Sequence, residues 1–319
     1  MDDYRAPGWL PGGHLQTIVP ALLSPAPAVH YRRERWNTPD GDFIDLDWVG
    51  TAAHAPLVVL FHGLEGSSQS HYAKALMAKA LALGWNGCVP HFRGCSGEPN
   101  RAPRAYHAGD SAEVGWIVAQ LRRRYPDIAL FLAGVSLGGN QLLKWLGERG
   151  LAARRQVTAA AGVSAPLDLT ACGKVLDHGI NRHVYTRSFL KTLKPKALDK
   201  LREFPELADY RQIAAARSFK EFDRYFTAPV HGFIDHHDYW HRASSKPLLK
   251  SIAVPTLVLN ARNDPFMPES ALPGRDEVAP CVELDFPHHG GHVGFAQGSF
   301  PGRIDWLPNR LTGFFARHL

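Results

Sequence analysis

Three residues far apart in the chain have the types and local settings that nucleophilic acyl transfer requires: Ser136, Asp264 and His292. Ser136 lies in Gly134-Val135-Ser136-Leu137-Gly138, a G-x-S-x-G pattern between the apolar run Ile128–Ala133 and a helical pattern carried by Leu142, Leu143 and Leu146. A serine on so sharp a strand-to-helix turn needs small neighbours two positions away, which Gly134 and Gly138 supply, and its hydroxyl is pushed out above a sheet. Asp264 follows the apolar run Pro255–Asn260 in Ala261-Arg262-Asn263-Asp264-Pro265, where catalytic groups of open α/β sheets gather. Asp276 and Asp285 are weaker candidates for the acid, one in a Pro/Gly-rich connection and the other inside a strand pattern.

Three histidines, His288, His289 and His292, compete for the role of base after the strand pattern Cys281–Phe286. His292 is favoured because Gly290 and Gly291 would let the backbone approach the serine turn, and because Val293 and Phe295 could pack beside the ring. Chemically, a neutral imidazole would take the Ser136 proton and return it to the leaving alcohol, while Asp264 would fix the tautomer and stabilise the imidazolium. The order Ser, Asp, His along the chain is the order of one serine-enzyme fold and not of the others. For the developing oxyanion, the loop His62-Gly63-Leu64-Glu65-Gly66 after the strand pattern Leu57–Phe61 would offer the Leu64 backbone N–H, and the residue after the nucleophile would offer that of Leu137.

The elements that must position these groups alternate strand with helix. His71–Leu83 is an amphipathic helix pattern stopped by Gly84, and Gly87–Phe92 is extended, with Pro90 disturbing its regularity. Asp110-Ser111-Ala112-Glu113 reads as a variant capping box for a helix whose last turn carries Arg122, Arg123 and Arg124, cations suited to a helix end. Between the strand pattern Val157–Val163 and Pro255 the alternation breaks. Short helical patterns there carry Lys191, Lys194, Lys196 and Lys200 beside Phe219, Phe222, Tyr225, Phe226, Phe233, Tyr239 and Trp240. An insertion at this place, about residues 170–250, predicts a helical cap whose aromatics either line an acyl pocket or form its own core. The expected architecture is one α/β domain, with a mostly parallel central sheet, flanking helices and this cap.

Trp9-Leu10-Pro11-Gly12-Gly13-His14-Leu15-Gln16-Thr17, His62–Ser68, Phe92-Arg93-Gly94-Cys95-Ser96-Gly97-Glu98, Gly134–Asn140 and Gly291–Phe295 together resemble the YheT-type, or AB-hydrolase-4, group of α/β-hydrolases. The resemblance spans nearly the whole chain, and the Leu-Pro-Gly-Gly-His-Leu-Gln-Thr and Arg-Gly-Cys-Ser-Gly-Glu segments are far more specific than the serine motif. It implies the α/β-hydrolase fold and an esterase-type triad of Ser136, Asp264 and His292. It leaves the natural substrate open, because the group contains esterases, lipid esterases and acyltransferases.

Composition narrows the alternatives. The net charge of +6 and pI near 9.2 bear on attraction to anionic surfaces, yet no basic stripe interleaved with aromatics points to nucleic acid. His237 and His241 are an i, i+4 pair without an H-E-x-x-H motif, so no metal or organic cofactor is expected. Cys88, Cys95, Cys172 and Cys281 are scattered and read as free thiols. No segment approaches a transmembrane length, and the start lacks the basic and apolar regions of a signal peptide, which sets the expectation of a cytoplasmic protein. The function expected is hydrolysis of short-to-medium-chain carboxylic esters through an acyl-serine intermediate. Monomeric esters are favoured over organised lipid surfaces because no long amphipathic helix is evident, although the lysines of the insertion leave peripheral lipid contact open. An acyltransferase or phospholipase with the same triad is the nearest alternative, and a non-catalytic binding protein on the same fold the next.

Overall fold

The computed structural model describes residues 4–319. Eight strands among them form one sheet in the order β1-β2-β4-β3-β5-β6-β7-β8: β1 Arg32–Asn37, β2 Phe43–Val49, β3 Leu57–Phe61, β4 Asn86–Pro90, β5 Leu130–Val135, β6 Ala159–Val163, β7 Thr256–Leu259 and β8 Val282–Asp285. The pairs β1·β2 and β2·β4 are antiparallel and all others parallel. The strands from β3 to β7 are buried apolar runs, as a sheet covered on both faces demands. Because side chains alternate across a strand, β3 sends Leu57, Val59 and Phe61 to one core and Val58 and Leu60 to the other. Helices α3 (Ser111–Arg124) and α4 (Leu137–Arg149) close the first core, while α2 (His71–Ala82) and the C-terminal helix Trp306–Ala316 close the second.

Two regular elements at the start of the chain carry no apolar periodicity of the usual inward kind. Helix α1 (Gly12–Leu22) buries Gln16, Thr17 and Pro20. The β1–β2 hairpin is stitched by charge: Arg33 lies opposite Asp47 and Arg35 opposite Asp45, and each arginine grips its carboxylate through two nitrogens. The capping box expected at Asp110 is not made. The Asp110 side chain accepts no bond from the α3 backbone and pairs with Arg104, while Glu113 pairs with Arg93 at 2.6 Å. The guanidinium groups, being charged donors, compete for those carboxylates more strongly than neutral backbone amides would.

Between β6 and β7 the chain is helical, with its longer pieces at Leu169–Leu176, Arg187–Glu203, Tyr210–Ala215 and His236–Ala243. These helices have a core of their own, built on Leu190, Leu201, Ile213, Phe222 and Phe226. Leu169, Leu176, Phe189, Phe219 and Trp240 face the cavity at the carboxyl ends of the central strands.

Candidate active site

Ser136 immediately follows β5, Asp264 lies in the loop after β7, His292 in the loop after β8 and Leu64 in the loop after β3, so all four stand at the carboxyl edge of the sheet. Ser136 holds φ 52°, ψ −121°, a region hostile to any residue with a Cβ, and its N–H is bonded to the Val163 carbonyl at 2.8 Å. The turn is possible because its flanks are bare. A Cβ on Gly134 would lie 2.5 Å from the Gly138 carbonyl oxygen, and one on Gly138 would collide with the Phe61 carbonyl.

His292 Nε2 is 3.0 Å from Ser136 Oγ, and His292 Nδ1 is 2.9 Å from Asp264 Oδ2. The other Asp264 oxygen accepts the Phe266 N–H at 2.8 Å, and the carboxylate is fully enclosed. A carboxylate only accepts, so Nδ1 carries the imidazole proton and Nε2 presents a lone pair to the serine hydroxyl. The other acidic candidates are elsewhere: Asp276 is exposed, and Asp285 is ion-paired with Arg310 at 2.7 Å. His288 and His289 are exposed, with His289 Nδ1 3.4 Å from the Asn263 amide.

The loop after β3 is arranged so that one N–H is left over. Gly63 N–H donates to the Tyr72 hydroxyl at 2.8 Å, Glu65 N–H to the Tyr106 hydroxyl at 3.0 Å and Gly66 N–H to the Gly63 carbonyl at 2.9 Å. On the serine side, Ser136 and Gly138 donate to Val163 and His62 carbonyls. Among the described residues neither Leu64 nor Leu137 N–H has an acceptor, and both residues line the cavity beside Ser136. His62 locks this loop. Its Nε2 accepts the Phe92 N–H at 3.1 Å, so Nδ1 must be the protonated nitrogen and donates to the Gly63 carbonyl at 2.8 Å. Burial pushes this histidine down to about 3, which keeps it neutral.

The surroundings of His292 differ from those expected. Val293 and Phe295 have φ of 64° and 42°, which turn their side chains away from the imidazole into the core with Tyr4 and Trp306. Phe266 takes their place, stacked on the His292 ring at 4.0 Å and 25°. Gly290 and Gly291 do not admit the serine turn. A Cβ on Gly290 would strike the Phe295 ring, and one on Gly291 would lie 2.7 Å from the Gln16 backbone. Gly291 makes room for helix α1, and Gly290 for the Phe295 ring.

That helix gives the Trp9–Thr17 segment its role. Gln16 Oε1 accepts from Asn263 Nδ2 at 2.9 Å and from Gly290 N–H at 2.8 Å, Asn263 Oδ1 accepts the Gly291 N–H at 3.1 Å, and Thr17 Oγ1 accepts the His292 N–H at 2.9 Å. The acid loop and the histidine loop are therefore clamped to each other through α1. Gln16→Ala is expected to lower kcat for a soluble ester by about 10- to 100-fold through loosening of the His292 position, with KM little changed. Gln16→Glu keeps the acceptor oxygen for Asn263 and Gly290 but loses the Nε2–H donor to the Leu10 carbonyl at 2.9 Å, so it should recover activity only in part. Equal kcat in wild type and Gln16→Ala would remove the clamp from the argument.

The Arg-Gly-Cys-Ser-Gly-Glu segment is a fastening. Arg93 is buried against Glu113, Asp40 and Asp42, tying the exit of β4 to the β1–β2 turn and to α3. Cys95 sits 4.0 Å from Lys196 and from Glu65, but burial pushes its thiol up to about 12, far from a reactive thiolate. His237 and His241 are both exposed on the helix His236–Ala243, and among the described residues no cluster of three His, Cys, Asp or Glu side chains is placed to hold a metal.

A cavity opens at Ser136 and is walled by Leu64, Leu137, Met267, Leu169, Leu176, Phe189, Leu193, Phe219 and Trp240. The aromatics of this segment divide: Phe219, Tyr239 and Trp240 line the cavity, while Phe226 packs within the helical segment. Asp223 also lines the cavity, accepting from Thr227 Oγ1 and Trp240 Nε1 at 2.7 Å each. Burial raises its carboxyl from 3.8 to about 7. The folded chain thus holds a proton that the unfolded chain releases, so stability falls as pH rises from about 4 to 7 and is level above that. Asp223→Asn can still accept from Trp240 Nε1 through its oxygen and can donate through its NH₂ to Thr227 Oγ1, and it cannot ionise. Its melting temperature should exceed that of wild type by about 5 °C more at pH 8 than at pH 4. A gap independent of pH would mean that Asp223 does not titrate in this window.

A family model described as alpha/beta hydrolase fold matches residues 56–299. The chain is 40% identical over 311 residues to YheT of Escherichia coli (strain K12), provisionally named an esterase, covering 96% of this chain and 91% of that one. It is 31% identical over 323 residues to "Phospholipase ABHD3" of Homo sapiens, covering 98% and 78%. Among solved structures, the Pyrococcus furiosus esterase Pf2001 superposes with a TM-score of 0.59 at 16% identity, covering 92% of this chain and 98% of that one, a likeness of fold alone. The chain belongs to the α/β-hydrolase family and, within it, to the YheT-type group.

Proposed function

We propose that the protein is a serine carboxylesterase that cleaves short-to-medium-chain carboxylic esters through an acyl-serine intermediate, with Ser136, His292 and Asp264 as its triad. The observation that carries this is the unbroken relay Ser136 Oγ, His292 Nε2, His292 Nδ1, Asp264 Oδ2, with contacts of 3.0 and 2.9 Å beside two unpartnered N–H groups. His292 takes the hydroxyl proton as Ser136 Oγ adds to the ester carbonyl. The tetrahedral oxyanion is met by the Leu64 and Leu137 N–H groups. The imidazolium, held by Asp264, then protonates the leaving alcohol, and water repeats the sequence on the acyl-serine.

The helical segment over about residues 170–250 is read as a cap whose apolar side chains hold the acyl chain, which the wall of Leu169, Leu176, Phe189 and Phe219 supports. The same triad acting on phospholipids or monoacylglycerols is the second reading, favoured by the relatives named "Phospholipase ABHD3" and "Monoacylglycerol lipase". An acyltransferase would differ only in the acceptor, so partition of product between water and added alcohol separates it. Four free cysteines among the described residues suit a reducing compartment, in keeping with a cytoplasmic location. The test is hydrolysis of p-nitrophenyl esters from acetate to palmitate. The expected result is a maximum at short-to-medium chains; no turnover of any member would sink the proposal.

A further inference from the structure

Helix α1 is laid on the molecule with its polar face inward. Gln16 and Thr17 are buried because they bond the loops that carry Asp264 and His292, and Leu15 and Leu22 of the same helix are left outside, with Pro20 the one apolar side chain buried beside the polar pair. Leu15 and Leu22, seven positions apart on one face, are 45% and 76% exposed, and Leu23 is 53% exposed. A helix resting on a water-soluble core ordinarily shows the opposite arrangement. Single exposed leucines are common, whereas a continuous apolar face marks a contact surface.

The face continues on both sides. Ser24 Oγ donates to the Pro301 carbonyl at 2.8 Å, which sets Phe300, 67% exposed, beside the end of α1. His14 Nδ1 meets the Tyr185 hydroxyl at 3.1 Å, which brings the exposed Ile180 and Val184 alongside its start. The patch is also close to the chemistry: His14 stacks on Tyr185, Tyr185 packs on Phe266 at 4.6 Å, and Phe266 stacks on His292.

Charge specifies the occupant. Residues 4–31 and 178–198 contain no Asp or Glu, and the second segment carries Arg182, Arg187, Lys191, Lys194 and Lys196. Lys194 is engaged by the Ala216 carbonyl and Lys196 by Glu65. Arg182, Arg187 and Lys191 are exposed and form no ion pair among the described residues. The leucine face of α1 beside the 178–198 segment with its free cations, neither containing an acid, fits a bilayer with anionic headgroups, the leucines entering the acyl boundary and the cations meeting phosphate.

We propose that the outer face of α1, with Phe300, Ile180 and Val184, is a docking surface for anionic phospholipid bilayers from which the active site draws ester substrate. The source of substrate rests on the esterase reading above; the docking itself does not. It reverses the expectation that organised lipid surfaces are disfavoured, because a short helix turned apolar side out does the work expected of a long amphipathic one.

The test is flotation of the full chain, carrying Ser136→Ala so that no lipid is consumed, with vesicles of phosphatidylglycerol and phosphatidylcholine or of phosphatidylcholine alone, at low and high salt. Binding should be strong on the anionic vesicles, weaker on the neutral ones and suppressed by salt. Leu22→Asp with Leu23→Asp should reduce it at least about tenfold, and Arg187→Gln with Lys191→Gln should remove most of the salt-sensitive part. In the chain with Ser136 intact, the same substitutions should leave hydrolysis of p-nitrophenyl acetate unchanged. Absence of vesicle binding, or equal binding by the leucine variant, overturns the proposal. So does a concentration-dependent dimer in sedimentation equilibrium that the leucine substitutions disperse, since the face would then belong to a second copy. Loss of esterase function with binding intact would count against the catalytic reading alone.

Discussion

Ser136→Ala is expected to lower kcat for a soluble ester by about 10⁶-fold while leaving the fold in place. The two halves of that expectation have different causes. Activity is lost because, among the described residues, no other hydroxyl lies on the His292 lone pair: Ser164 also lines the cavity, but its Oγ accepts the Val293 N–H at 3.3 Å. The fold is kept because the strain at φ 52°, ψ −121° belongs to the backbone and the Cβ, which alanine shares with serine. The Ser136 N–H bond to Val163 and the Gly138 N–H bond to His62 involve only main chain and survive as well. A fluorophosphonate probe should label the wild type and not the variant, with unchanged circular dichroism. Residual turnover through the intact Leu64 and Leu137 N–H groups sets the floor. Undiminished labelling of the variant would place the nucleophile elsewhere.

Much of the site was legible because its chemistry is written in local pattern. Buried parallel strands are short apolar runs, and each candidate residue follows one of them, so Leu57–Phe61, Pro255–Asn260 and Cys281–Phe286 announced both the strands and the edge where Leu64, Asp264 and His292 stand. What could not be read was whatever inverts the usual pattern. Helix α1 has its apolar face outward, so periodicity gives it no core face, although the Leu-Pro-Gly-Gly-His-Leu-Gln-Thr segment was conspicuous as a motif. Strand β1 is almost wholly polar, and its pairing is carried by arginines that meet their carboxylates only across the hairpin. The environment of His292 depends on backbone signs at Val293 and Phe295 that two ordinary apolar residues do not advertise, and nothing in the sequence marks Phe266, two residues after Asp264, as the ring beside His292.

Asp264→Asn should reduce kcat by about 10³- to 10⁴-fold, and the reason is specific to the bonds around this carboxylate. Oδ1 of Asp264 already serves the Phe266 N–H at 2.8 Å, and Oδ2 faces His292 Nδ1. An asparagine has a single acceptor. With its oxygen on the Phe266 N–H, which leaves no buried donor unmet, its NH₂ faces Nδ1 and requires a lone pair there. The imidazole proton then moves to Nε2, so His292 donates to Ser136 Oγ where it must accept. The counter-charge for the imidazolium is lost in the same step. Folding should be little disturbed, because volume and both contacts are kept, and fluorophosphonate labelling should be slow but still directed to Ser136. Asp276→Asn and Asp285→Asn serve as controls, and both should leave turnover near the wild-type rate, since one side chain is exposed and the other is engaged by Arg310. Near-normal turnover by Asp264→Asn together with loss in either control would show that another carboxylate orients the histidine.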